Sequence, residues 1–409
     1  MTAARPIAVT AAGLLLAACG SASSTTGTHS SATAAGTATS MTTTDTPSPS
    51  PSASSTTATA TPAPASSSST TTDSGPIAMG IGVYWAVQTP SGTQLRKVSL
   101  TGGAGSTVVL LPTDTFLLTM GFGHAIVARP SGVLQVLSLS TGAVTATGHY
   151  NGNQPLGAAM SPDGAKVAFL DGSPGAYRVG VMTVASGAVA TLTTGGSGSA
   201  PSPSTWGDAI GAVSIVPNSD AGPQGAMSLN PSTGAHTGTT NTTGAGGVLV
   251  SGDGRHGAAV VHTDLGDNGD AAPGPGPQGP FNTLQTFTIG SAPTTVLSEA
   301  HHNISVLATL PGGDKYLVWD NSAAGGFAGI SMNGNFGILV QTGSTRKQYL
   351  HYDGTDYDGG VFLQDGSTVV VANHDSSGSH LRSVTPSGTV SDLDTVAGGT
   401  GGSVYLVVG

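Results

Sequence analysis

The sequence predicts an all-β fold, on three observations. Glu and Lys, both good helix formers, are almost missing: Glu299 is the single Glu beside 20 Asp, and there are only four Lys. Gly and Pro, the poorest helix formers, number 63 and 25. Third, short runs rich in Val, Ile and Thr recur between Gly-containing turns, at intervals of about 40 to 60 residues. A length of 409 residues would allow two or three domains. Much of the Ser, Thr and Pro, however, sits in one early stretch that cannot build a core. A net charge of −10 gives no electrostatic footprint for nucleic acid. Cys19 is the only cysteine, which excludes a disulfide framework and any Cys-based zinc site further on.

The first element, residues 1–18, reads as an export signal. Arg5 is its only charged side chain, and an apolar run over residues 7–18 follows, too short to span a bilayer as a helix. The run ends in Leu16-Ala17-Ala18-Cys19-Gly20-Ser21. This resembles the lipobox of bacterial lipoproteins, in which an aliphatic residue and two small residues precede the cysteine that is acylated. The resemblance implies that Cys19 becomes the lipidated mature N-terminus, facing the extracytoplasmic side of the cell membrane. Each buried CH₂ of an acyl chain contributes about 0.8 kcal/mol, so a multiply acylated Cys19 is stably held.

Residues 19–75 form the second element. Ser, Thr, Ala and Pro dominate, and Asp45 and Asp73 are the only charges. Without a hydrophobic period such a segment cannot offset its ordering entropy by burial. It reads as a disordered tether averaging about 40 Å end to end, stiffer where Pro47, Pro49 and Pro51 cluster. Its composition is also compatible with O-glycosylation.

Residues 76–409 carry the repeats. The clearest unit starts with an apolar strand at residues 157–160, then Ser161-Pro162-Asp163-Gly164 and a second strand at 166–170. A third strand at 178–184, a Ser186-Gly187 turn and a fourth strand at 188–193 complete it. Pro162 presets the turn φ, Asp163 tolerates the tight bend and Gly164 takes a positive φ. The turn returns as Asp253-Gly254, Gly313-Asp314 and Asp365-Gly366, and more weakly as Gly121-Phe122-Gly123 and Gly207-Asp208. Thr141-Gly142, Thr233-Gly234 and Ser387-Gly388 repeat the turn between the last two strands. The stretch at 160–172, MSPDGAKVAFLDG, resembles the repeat of TolB-type and related WD-repeat-like β-propellers.

That resemblance implies a β-propeller, and counting the units gives seven blades. The first unit begins directly at its second strand, residues 81–88, and an orphan strand at 403–408 ends the chain. The orphan is expected to supply the missing strand and close the ring. Two stretches fit less well: a Pro/Gly-rich insertion at 267–280 in the fifth unit, and residues 343–358 in the sixth.

Chemical motifs are few. There is no Walker loop, no HExxH and no GxSxG, and Gly195-Gly196-Ser197-Gly198-Ser199 reads as a loop. The carboxylates Asp163, Asp253, Asp314 and Asp365 are expected to serve their turns. Loops between second and third strands, and those linking blades, should share one face. That face would gather His149, Asp171, His262, Asp320, His374 and Asp375, accompanied by scattered cations such as Arg346 and Lys347. Two oxygen-rich groups there, Asp264, Asp267 and Asp270 with Asn268, and Asp353, Asp356 and Asp358, have the donor type that calcium accepts, without EF-hand spacing. Glu299 and His301 beside His302 suit zinc or manganese, although adjacent histidines on a strand point to opposite sides. No cofactor is firmly implied.

Two functions are compatible with these residues. One is a membrane-anchored lipoprotein whose propeller is a non-enzymatic platform for an extracytoplasmic protein or envelope component. The other is a propeller enzyme resembling lactonases or lyases, with a metal near the central channel. The fold alone does not choose between them.

Overall fold

Apolar runs separated by Gly turns can bury themselves only by pairing into sheets and stacking those sheets. The structure, a computed structural model, shows this arrangement. It describes residues 81–408 apart from 101–103, 152–156, 172–176, 193–199, 208–211, 220–221, 224, 243–244, 263–281, 299–302, 321–336 and 352–354. Residues 1–80, on which the expected export signal, tether and Cys19 fall, lie outside the described residues.

Every regular element among the described residues is a strand, and the strands form seven antiparallel sheets, the blades of a propeller. Blade 2 consists of Phe116–Gly121, His124–Arg129, Val133–Ser138 and Val144–His149. Blade 3 is Ala158–Met160, Lys166–Asp171, Arg178–Thr183 and Val189–Leu192. Blade 4 is Ala200–Gly207, Ala212–Ser219, Gly225–Leu229 and His236–Asn241, with Gly222–Pro223 paired beside its second strand. Blade 5 is Ala245–Val250, His256–Val261, Thr283–Thr288 and Thr294–Ser298, and blade 6 is Ile304–Thr309, Lys315–Asp320, Gly337–Thr342 and Thr345–His351. Blade 7 is Asp356–Phe362, Val369–Asp375, Gly378–Val384 and Val390–Ala397.

Blade 1 is assembled from both ends of the domain. The C-terminal strand Gly402–Val408 pairs antiparallel with Ile81–Thr89, in register from Ile81↔Val408 to Val87↔Gly402. Gly92–Val98 and Ser106–Leu111 complete the sheet. The expected closure is therefore present, one residue longer at its start. The first strands of consecutive blades lie against one another all the way round, so the ring is closed.

Seven apolar clusters hold the ring, one in each seam between neighbouring blades. Strand alternation explains how one strand serves two of them. Val83, Trp85 and Val87 pack toward blade 7, whereas Tyr84 and Ala86 pack toward blade 2. Likewise Val167 and Phe169 enter the seam with blade 2, and Ala168 the seam with blade 4. Such strands are buried on both faces, which is why they read as continuous apolar runs.

The turns follow the expected chemistry. Gly164 has φ +69°, and a Cβ there would meet the Cβ of Phe122 in the neighbouring blade's turn at 2.6 Å, so only glycine fits. The Asp163 carboxylate accepts the Ser161 hydroxyl at 2.6 Å and the Ala165 N–H at 3.0 Å. Asp365 likewise accepts the N–H groups of Ser367 and Thr368, both at 2.8 Å. Blade 6 departs from the pattern. There Gly313, at φ +67°, donates its N–H to the Leu310 carbonyl, taking the place of Gly164. Asp314 therefore stands two positions after the place of Asp163, where that turn has Ala165. Residues 343–358 also become clear: they hold a turn, the fourth strand of blade 6 and the start of blade 7. The insertion at 267–280 lies outside the described residues.

Candidate functional site

Strand direction divides the connections between two faces. Turns between first and second strands, and between third and fourth, emerge on one side, here the turn face. Connections between second and third strands and between blades emerge on the other, the loop face. Ile81 and Val408 are partners, so the chain enters and leaves the propeller on the turn face.

Charge is divided unequally between these faces. Among the described residues, the loop-face connections and the strand ends bordering them carry six carboxylates, Asp114, Asp171, Asp320, Asp356, Asp358 and Asp375, against two cations, Arg129 and Arg178. The other described residues have six carboxylates and eight cations. Arg346 and Lys347, expected on the loop face, stand instead at the start of the blade 6 fourth strand, beside the turn face. The position of the tight turn at Gly343, which the sequence did not settle, decides their side.

Of the proposed oxygen and nitrogen ligands, Asp264, Asp267, Asp270, Asp353, Glu299 and His301 lie outside the described residues, as does His302. Asp356 and Asp358 belong to the first strand of blade 7 rather than to a loop. Asp358 is nearly buried, and its Oδ2 lies 2.9 Å from Nδ1 of His374 and accepts the Gly402 N–H at 3.3 Å. It thus joins blade 7 to the entry of the closing strand. Among the described residues, no three His, Cys, Asp or Glu side chains converge to hold a metal ion.

Two other carboxylates on this face are structural. Asp171, buried at the end of its strand, accepts the Asn151 N–H at 2.6 Å and pairs with Nε of Arg178 at 3.1 Å. Asp375 accepts both the N–H and the hydroxyl of Ser377, at 2.7 and 2.6 Å. Those two bonds hold its carboxyl well below the usual carboxylate range.

Ser377, His380 and Asp375 bring together the three residue types of a hydrolytic triad, but not its geometry. A triad needs the carboxylate on one imidazole nitrogen and the serine on the other. Here Nε2 of His380 faces both Ser377 Oγ at 3.0 Å and Asp375 Oδ1 at 3.3 Å, while Nδ1 faces Thr395 Oγ1 at 3.3 Å. The Ser377 hydroxyl donates its hydrogen bond to Asp375, so it is a turn bond and not an activated nucleophile.

A different group lies in the seam between blades 6 and 7. Trp319, Tyr357 and Asn373 stand at the loop-face ends of their strands. The Trp319 and Tyr357 rings meet edge to face with centroids 6.2 Å apart. Tyr357 and Asn373 are directly opposite on paired strands. Asn373 is 0% exposed, yet neither its amide oxygen nor its amide nitrogen has a hydrogen-bond partner; the indole N–H of Trp319 is also buried and unpartnered. Each such group costs about 1–3 kcal/mol when left unsatisfied. Sequence reading missed these residues, because a Trp and an Asn inside apolar strands read as core and as strand end.

No family model matches this sequence, and no curated protein matches it. Solved structures do resemble it. The chain is similar in fold to TolB. For TolB from Acinetobacter baumannii the identity is 15%, the match covers 81% of this chain and 68% of that one, and the TM-score is 0.44. For a putative TolB from Agrobacterium tumefaciens the values are 13%, 80%, 98% and 0.39. The β-propeller domain of the Trilobed protease from Pyrococcus furiosus, described as having an open velcro topology, gives 9%, 69%, 84% and 0.46.

Proposed function

We propose that this protein is a lipid-anchored extracytoplasmic lipoprotein whose propeller is a binding platform that presents its loop face to a cationic partner. The observation that carries this reading is the polarity of the ring. The chain enters the propeller at Ile81 on the turn face, while among the described residues the excess of carboxylates over cations borders the opposite face. Supporting the non-enzymatic reading, the described polar clusters resolve into turns and blade fasteners: Asp171 with Arg178, Asp358 with His374, and Asp375 with Ser377.

Fractionation of cells tests the anchor. Wild type should stay with membranes until detergent is added, and Cys19→Ser should appear in the soluble fraction; retention of that variant on membranes refutes the anchor. The platform is tested by partner capture from detergent-solubilised membranes at rising salt. Contacts between exposed opposite charges weaken as the screening length falls. Capture that is indifferent both to salt and to replacing Asp114 and Asp375 by Asn refutes the acidic platform.

A further inference from the structure

The polar group in the seam between blades 6 and 7 has a chemistry that the platform reading does not use, and the inference from it does not depend on that reading. We propose that Trp319, Tyr357 and Asn373 form a subsite for a neutral sugar, entered from the loop face.

The donor and acceptor set points to this class. Asn373 offers one acceptor and one donor arm side by side, and Trp319 adds a single N–H donor; all three are buried without partners. No charged group is among them, so neither an anion nor a cation is matched. Two vicinal hydroxyls of a sugar lie on one edge, where one accepts from the amide NH₂ and the other donates to the amide C=O. A trans peptide amide has its N–H and C=O on opposite edges and cannot meet both arms of one side chain. The two rings, crossed at 71°, add apolar surface of the kind that the C–H face of a sugar ring covers. Trp319 is only half-buried, whereas Tyr357 and Asn373 are buried, so the approach runs past the indole.

The chain reports on its own site. Of its three tryptophans, Trp85 and Trp206 are buried, and Trp319 is the one with exposed surface. The experiment titrates the full-length protein with maltotriose, cellotriose and xylotriose, following tryptophan emission and, independently, heat by calorimetry. The expected result is saturable binding of at least one trisaccharide. In Asn373→Leu, which fills the same space without the amide, affinity should fall at least tenfold. Trp319→Phe keeps an aromatic ring but removes the N–H, and calorimetry should show a similar loss. Should Asn373→Leu fail to fold, Trp319→Phe decides alone. Absence of saturable heat with all three sugars overturns the proposal, as does affinity unchanged in the folded variants; either result assigns the unpaired groups to buried water only.

Discussion

Trp85 and Asp394 are 309 residues apart, yet the indole N–H donates to Oδ2 of the carboxylate at 3.0 Å. The same carboxylate receives Nε of Arg96 at 2.6 Å, Nη2 at 3.1 Å and the Gly105 N–H at 3.0 Å. Trp85, Arg96 and Gly105 belong to blade 1, and Asp394 lies on the outermost strand of blade 7. One buried carboxylate therefore ties the last blade to the first along the seam where the chain closes on itself.

Removing that carboxylate should be costly. Asp394→Ala leaves a largely buried guanidinium and an indole N–H without their partner. Breaking one side of such a pair typically costs about 3–5 kcal/mol. Burial pushes the Asp394 carboxyl up, but Arg96, Gly105 and Trp85 outweigh it, so its pKa is lowered. A lowered folded pKa means stability that is present above the unfolded value of about 3.9 and is lost as pH falls through the folded value. Urea unfolding at neutral pH and in acid checks both points. Asp394→Asn should be destabilised at neutral pH and should lose less than wild type on acidification; an equal acid loss in both would assign it elsewhere.

The closing strand should matter as much as any core strand. Val404, Tyr405, Leu406 and Val407 are all at most 5% exposed. Burying four such side chains contributes about 1.5–3 kcal/mol each, comparable with a net stability of about 5–15 kcal/mol. Truncation after Gly402 also leaves Ile81–Thr89 as an open edge, a template for aggregation. Insoluble or strongly destabilised protein is expected. Deleting residues 20–74 should leave the melting temperature nearly unchanged. A soluble truncation melting like wild type would show that the ring does not depend on this strand.

The sequence makes the propeller legible because its information is local. Asp163-Gly164 and Thr141-Gly142 announce turns by backbone chemistry, and a missing first strand at one end matches an orphan strand at the other. The site is much less legible, because its contacts join distant strands. Nothing near Asp394 marks it as the partner of Arg96; only ring closure brings their blades together. Asn373 follows Val369, Val370, Val371 and Ala372, so its neighbours indicate core. Its unpaired amide is visible only once Tyr357 and Trp319 stand beside it. The expectation for Asp314 fails for a simpler reason: in Gly312-Gly313-Asp314 the position of the second glycine, not the acid, sets the register.

The turn carboxylates separate into those that hold a turn and one that does not. Asp163→Ala removes the acceptor for the Ser161 hydroxyl and the Ala165 N–H, and should cost about 1–2 kcal/mol. Asp314 is exposed and stands two positions late, so Asp314→Ala should stay within about 0.5 kcal/mol of wild type. Denaturant midpoints of the two variants provide the check. Equal losses would mean that the repeated acid acts through general charge and not through turn geometry.

Alkali should weaken the closure in particular. Tyr405 sits on the closing strand, opposite Tyr84, and burial pushes its pKa up to about 12, partly offset by a bond to the Ser403 side chain. The unfolded chain releases the phenol proton near pH 10, while the folded chain keeps it. Between these values the unfolded state binds fewer protons than the folded state, so stability falls as pH rises. Over two pH units the loss reaches about 2–3 kcal/mol for one such group. Tyr316, also raised to about 12, adds a second contribution within blade 6. Melting temperatures of wild type and Tyr405→Phe at pH 8 and then from pH 10 to 12 separate the two. The variant should lose less across the alkaline range, whatever its stability at pH 8. Parallel alkaline losses in both proteins would show that Tyr405 ionises at the same pH folded and unfolded, and that the closing strand is not sealed from water.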